Sequence, residues 1–295
     1  MKQIIAGVLL FGATVSQAQQ ALTYTQYMEN RTPLNPAASL MSGNGEVSFI
    51  GRRQWVGLEG APTVYWGSAH VGWQSIGATL GINVKHESMA VEDNLEASAF
   101  FAKSVRISER EYLGLSLNVG INYVNGNFSA LDPHDPAFRD DIRETDVMTG
   151  FGVLVYSPER YYVGLSLPRL MLSNLGVGGD NQYDFRNQYH VMAAALFPIG
   201  SDFHVKPSLL ATYAESLRPQ VDVGVMAFIK QVCGIGLNMR SYGEVAGLAQ
   251  LNFSGLGIGY SYQFNTRNEP LNRRINNTTH EVGIRYRFGG NTSLL

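Results

Sequence analysis

From Leu113 to Tyr123 every second residue is apolar: Leu113, Leu115, Leu117, Val119, Ile121 and Tyr123 face one way, and Gly114, Ser116, Asn118, Gly120 and Asn122 the other. A period of two means an extended strand with one apolar and one polar face. The pattern recurs along the chain. Leu80, Ile82 and Val84 oppose Gly81, Asn83 and Lys85, and Ile258, Tyr260, Tyr262 and Phe264 oppose Gly259, Ser261 and Gln263. Val282, Ile284, Tyr286 and Phe288 oppose Glu281, Gly283, Arg285 and Arg287. The runs are roughly 9 to 13 residues long, near the length a tilted strand needs to cross a bilayer and longer than the usual 5 to 6.

Soluble sandwiches also alternate, so further features are needed to choose. Charged residues are 16% of the chain, against 32 Gly, 15 Tyr and 14 Phe, and roughly 25% charge is usual in soluble domains. Aromatic residues fall near strand ends, at Tyr112, Tyr123, Tyr161, Phe264 and Phe288, where a membrane girdle belongs. Connections alternate in length. Tight turns at Gln74, Ser108, Ser157–Arg160, Pro198–Ser201, Gln231 and Ser254 are interleaved with longer links at 87–93, 124–145, 169–187 and 265–278. Outer-membrane barrels have short periplasmic turns and longer outer loops. The expected fold is therefore all-β: a transmembrane antiparallel β-barrel of about 14 strands, closed because lipid cannot satisfy an open sheet edge.

Lys2, the apolar run Ile4–Val15 and the small residues Ser16 and Ala18 read as a signal peptide, residues 1–18. Residues 19–44, polar and carrying Pro33 and Pro36, form a periplasmic arm or a plug; 45–288 form the barrel and 289–295 a short tail, with either Phe288 serving internally as the closing aromatic or the tail flexible. Export to the outer membrane is the expected location. The net charge of −2 gives no basic stripe for nucleic acid. With Cys233 the one cysteine, a disulfide framework or multi-cysteine metal site is excluded.

No catalytic set, cofactor, metal or small-molecule substrate is expected. Gly164-Leu165-Ser166-Leu167-Pro168 lacks the strand-to-helix turn of a nucleophile elbow, with Pro168 ending the strand. Ser68 and His70 point inward with Trp66 but have no placed third partner, and Asp132-Pro133-His134-Asp135-Pro136 reads as turn chemistry.

Gln26-Tyr27-Met28-Glu29-Asn30, then Asn35-Pro36-Ala37, then Arg52-Arg53-Gln54-Trp55-Val56-Gly57-Leu58-Glu59-Gly60-Ala61-Pro62-Thr63 resemble the signature of the PorP/SprF family. Gly150-Phe151-Gly152 and the ending His280–Phe288 are similar too, while Glu29 and Arg31 stand where the family often has aromatic residues. The resemblance implies a non-enzymatic outer-membrane component of type IX secretion. Such a protein anchors or helps export a secreted surface adhesin, or docks the secretion and gliding machinery through its ring or motor components. Candidate signature and partner-contact residues are Gln26, Tyr27, Met28, Asn35, Pro36, Ala37, Arg53, Gln54, Trp55, Gly60 and Pro62. Arg267, Arg273 and Arg274 join them on the outer rim, opposite in sign to Asp140, Asp141 and Glu144. The alternative is a porin or small-molecule channel, against which the lumen-facing Gly, Ser, Asn and Gln set, expected to be neutral, shows no one-sign charge ladder.

Overall fold

The computed structural model describes residues 23–131, 140–176, 183, 185–266, 278–289 and 293–295. Fifteen strands lie in one antiparallel sheet: β1 (Gly45–Arg53), β2 (Thr63–Trp73), β3 (Ala78–Met89), β4 (Glu92–Arg106), β5 (Tyr112–Gly126), β6 (Ile142–Ser157), β7 (Tyr161–Met171), β8 (Gln188–Ala195), β9 (Phe197–Ile199), β10 (Phe203–Ala214), β11 (Gln220–Ile229), β12 (Cys233–Arg240), β13 (Glu244–Phe253), β14 (Leu256–Asn265) and β15 (Thr279–Arg287). β8 and β9 both pair with β10 and are two pieces of one stave, interrupted at Leu196. The barrel therefore has 14 staves, and the β1–β15 and β10–β11 ladders close it. Among the described residues no helix is long and apolar enough to cross a membrane; the strands make the crossing.

The alternation sets the two faces. Leu115, Leu117, Val119 and Ile121 are exposed on the outer wall, and Ser116, Asn118 and Asn122 are buried inside. The same division holds for Val282, Ile284 and Tyr286 against Glu281, Arg285 and Arg287. Tight turns gather at one end and the long links at the other, with corrections. The link expected at 87–93 is a two-residue turn, Ala90-Val91, between Met89 and Glu92. Its polar residues looked like loop because the strand ends are held by charged pairs: across the ladder Lys85 meets Glu96 at 3.0 Å and His86 meets Asp93 at 3.5 Å, and along β3 Lys85 meets Glu87 at 2.7 Å. Opposite charges facing each other across a ladder extend it beyond its apolar span.

Pro168 does not end β7. The strand runs on to Met171 through a bulge, with register shifts at Thr149/Phe151 and Ser166/Arg169. A bulge is where a strand tolerates proline, which cannot donate to the ladder. At the chain's described end, Leu294 and Leu295 are buried at the short-turn end of the lumen, where Leu294 O accepts from Lys206 Nζ at 2.7 Å.

Candidate functional site

The lumen is occupied by the chain itself. Thr23 lies beside Gln220 near the long-loop end, with Gln220 Nε2 donating to its hydroxyl at 2.5 Å. From there the segment descends the barrel to Ser42 and joins β1 at the short-turn end. Tyr24, Tyr27, Met28 and Ala37 have no exposed surface, and Gln26, Asn30, Arg31 and Thr32 retain 4% or less.

Two notches in the wall receive it. In the first, Gln26 lies across Gly259 and Gly283, which face each other on the β14–β15 ladder. A Cβ on Gly259 would stand 2.0 Å from Gln26 Oε1, and one on Gly283 2.8 Å from it. Beside this notch the Glu281 carboxylate accepts from the backbone N–H of Thr25 and Gln26 at 2.9 and 2.8 Å. Arg52 reaches the same carboxylate at 3.3 Å and Thr25 Oγ1 at 3.2 Å. The buried carboxylate is thus fully used, as a buried charge must be to avoid a large desolvation cost.

In the second notch Asn35 lies against β6 and β7. Cβ atoms on Gly152 and Gly164 would sit 2.2 and 2.8 Å from its side-chain amide. Asn35 is the N-cap of a 3-10 turn, Pro36–Ser42: its Oδ1 accepts from Ala37 N at 3.1 Å, and Pro36 occupies a first-turn position whose missing N–H costs nothing there. Its Nδ2 donates to the wall carbonyls of Val153 and Leu165 at 3.1 and 3.3 Å. Ser166, the supposed elbow serine, donates to Leu34 O at 2.6 Å, and Ser39 shares a hydrogen bond with Thr79 at 2.5 Å. One amide side chain therefore organises its own turn and grips two strands. Asn35→Ala removes a cap and both of the segment's amide bonds to the wall here, so we expect it to cost about 2–4 kcal/mol. A lowered urea midpoint of the detergent-solubilised barrel is the readout.

Between the notches sits the strongest electrostatic latch. Glu29 accepts from Lys206 Nζ at 2.5 Å, Arg285 Nη1 at 2.6 Å and Gln250 Nε2 at 2.8 Å. Burial alone would raise the Glu29 carboxyl, but Lys206 and Arg285 outweigh it and hold it at about 2, below its ordinary 4.5. A depressed carboxylate stabilises fully above its ordinary value and is lost as pH falls through the depressed one. Plug retention should thus be flat from neutrality down to about pH 4.5 and be lost progressively between there and about pH 2. Protease sensitivity of the segment across a pH series, read with an acid-tolerant protease, checks this.

These charges correct the expectation of a neutral lumen. Arg240 pairs with Asp222 at 2.7 Å and Glu244 at 3.3 Å, and Arg287 with Glu46 at 2.8 Å. Arg31 lies over the Tyr162 ring at 5.4 Å. The lumen is charged in both signs and internally paired. The signal was legible: Glu281, Arg285 and Arg287 stand on the polar face of the last strand, but pairs formed between strands far apart in sequence are not.

Of the signature residues, Gln26, Tyr27, Met28, Asn35, Pro36 and Ala37 converge in this plug. Tyr27 shares a hydrogen bond with Ser208 at 3.1 Å, and Met28 fills the space over Gly224. The second motif shapes the first long loop. Gln54 N donates to Pro62 O at 2.9 Å, closing the loop's base, and Trp55 is half-buried with φ 47°. Gly60, at φ +71°, passes under the β3–β4 turn, where Ala90 N donates to its carbonyl at 2.9 Å. Arg53 is exposed on the membrane face and takes no part in the socket, whereas its neighbour Arg52, outside the candidate set, points in. Arg267, Arg273, Arg274 and the Asp132–Pro136 stretch lie outside the described residues. Ser68 shares a hydrogen bond with Ser48 at 2.7 Å, and His70 packs against Phe100.

At the long-loop mouth, Tyr183 and Phe185 fold onto Val124, Met148 and Met171, and Tyr183 donates to Glu92 at 2.7 Å. Below them a cavity of about 60 Å³ is left between the plug and the wall, lined by Tyr24, Trp66, Lys85, Glu96, Arg169 and His190.

Over residues 16–286 the chain matches the family described as type IX secretion system membrane protein PorP/SprF. The chain belongs to the PorP/SprF family. A search among curated proteins finds no match. Solved structures similar to this PorP/SprF barrel include the toluene transporter TbuX of Ralstonia pickettii (9% identity, 87% of this chain and 93% of that chain covered, TM-score 0.52). The toluene transporter TodX of Pseudomonas putida is similar to the same degree (9% identity, 87% and 92% covered, TM-score 0.51). At such identity the likeness establishes the barrel fold. The PorP/SprF chain is thus an outer-membrane β-barrel of the type IX system.

Proposed function

We propose that this PorP/SprF protein is a permanently plugged, non-enzymatic barrel. It serves type IX secretion as an outer-membrane docking component, anchoring or helping export a secreted surface protein at its outer rim. The single observation that supports the reading is the plug. Glu29 and Asn35 are each held at three points and Gln26 at two, and Gln26 and Asn35 lie in notches that a single methyl group would obstruct. A barrel built this way is a rigid platform rather than a conduit. On this reading the first motif is a latch. The second fixes the loop 54–62 at the rim, where Val56 N donates to Thr278 O at 3.1 Å. Residues 1–18 are its export signal.

Deleting the gene tests this, with surface-protein display followed by fractionation. Type IX clients that leave the cell surface, appearing in the medium or accumulating inside, and return on complementation support the proposal. Clients that stay displayed as in the parent strain, together with impaired uptake of a small solute, would favour the channel reading instead.

A further inference from the structure

Arg53 is the one charged residue of the second motif on the outer face of the barrel strands, and its surroundings form a site. The directly opposed residues on its two flanking strands are His280 and Thr63, and Tyr262 stands opposite His280 on the next ladder. Directly opposed side chains in an antiparallel sheet lie within about 5.5 Å at Cβ, so these four form a continuous row. It runs along the outer wall, within a residue or two of the long-loop strand ends. His280 is oriented: its Nδ1 shares a 2.7 Å hydrogen bond with Tyr260 Oη, and its ring stands edge-on to Tyr262 at 5.2 Å. With the Tyr260 hydroxyl donating to Nδ1, the imidazole proton sits on Nε2, free to donate outward. Arg53 has no carboxylate partner among the described residues; its row holds Thr63, His280 and Tyr262, all without negative charge.

One step deeper toward the membrane centre, the next row is Tyr65, Gly51, Val282 and Tyr260. Tyr65, Val282 and Tyr260 are 45%, 48% and 42% exposed. Gly51 has no side chain, and the rings of Tyr65 and Phe49, stacked at 5.9 Å, lean over it: a Cβ there would meet them at 3.4 and 3.7 Å. The order from outside inward is therefore donors first, then a continuous aromatic and apolar surface. A membrane lipid presents the same order, with its phosphate at the interface and its acyl chain below. Guanidinium and imidazole donors suit phosphate oxygens, and rings at this depth suit the headgroup boundary.

We propose that Arg53 and His280 form a binding site for the phosphate of an outer-leaflet lipid headgroup, with an acyl chain lying along the Tyr65 and Phe49 rings. The snorkelling-arginine explanation would give Arg53 alone the same depth. It does not account for the imidazole held beside it by Tyr260. The site is independent of the plug and would orient the barrel's first outer loop against the membrane surface.

Native mass spectrometry of the purified full-length barrel tests it, after incubation with equal amounts of phosphatidylglycerol and diacylglycerol, which lacks the phosphate. The wild type should retain the phospholipid about tenfold over the phosphate-free lipid, the scale of one or two charge-assisted bonds. The double variant Arg53→Ala, His280→Gln should bring the ratio to near parity while keeping the heat-resistant mobility of a folded barrel. Arg53→Lys, which keeps the charge, should retain an intermediate preference. Lys103→Ala, an exposed cation near the opposite end of the wall, serves as the control and should change nothing. Equal loss in the Lys103 variant, or an unchanged ratio in the double variant, would overturn the proposal. So would loss of the wild-type preference in millimolar inorganic phosphate, which would mean a site for a free anion rather than a headgroup.

Discussion

Glu29→Ala is expected to release the plug. The substitution leaves the Lys206 ammonium, 1% exposed, and the Arg285 guanidinium, 9% exposed, facing each other without their shared carboxylate. Removing one partner of a buried ion pair costs about 3–5 kcal/mol, because the remaining charge stays buried and unpaired. Lys206 keeps only carbonyl acceptors, Leu294 O at 2.7 Å and Met28 O at 3.4 Å. The expected result is a folded barrel whose 23–42 segment becomes sensitive to protease and whose lumen conducts. Adding Lys206→Met to Glu29→Ala should recover part of the loss, since the two residues share one network and their effects do not add. A Glu29→Ala barrel whose segment is as protected as the wild type would mean that the glycine notches, not the ion pairs, retain it.

The second large effect lies on the lipid face. Leu117, 69% exposed near the middle of β5, should lose about 2–4 kcal/mol on substitution by arginine, the cost of a charge at mid-membrane depth. Its neighbour Asn118 reads from sequence as a replaceable lumen polar residue, so Asn118→Ser would be near neutral. The structure changes that expectation. Asn118 Nδ2 donates at 2.8 Å to Pro168 O, in the β7 bulge. A serine is too short to reach, and a part-buried carbonyl without a partner costs about 1–3 kcal/mol. Unfolding midpoints of both variants in detergent micelles should therefore fall, Leu117→Arg further. Equal sensitivity to Leu117→Ala and Leu117→Arg would contradict the face assignment.

The barrel was legible because one physical constraint, water on one face and lipid on the other, writes itself into every second residue. Leu113–Tyr123 and Val282–Phe288 are sorted by burial as their alternation requires. Strand ends were less legible. Past the apolar span the ladder at Lys85–Met89 and Glu92–Glu96 is held by ion pairs, and charged residues look alike in a strand and in a loop. The socket was legible only in half. The motif named Gln26, Met28 and Asn35, but their receptors are the glycines 259, 283, 224, 152 and 164. In sequence, a glycine that makes room for a buried amide is indistinguishable from one in a turn. The Arg52–Arg53 pair shows the same limit: adjacent in sequence, one closes the plug's carboxylate and the other faces lipid.

The most direct test of a permanently plugged barrel is electrical. Wild-type protein inserted into a planar bilayer, with insertion verified by protease protection of the strands, should show no steady conductance, and Glu29→Ala should show discrete openings under the same conditions. A stable open channel in the wild type would contradict the plugged platform and return the protein to the class of diffusion channels.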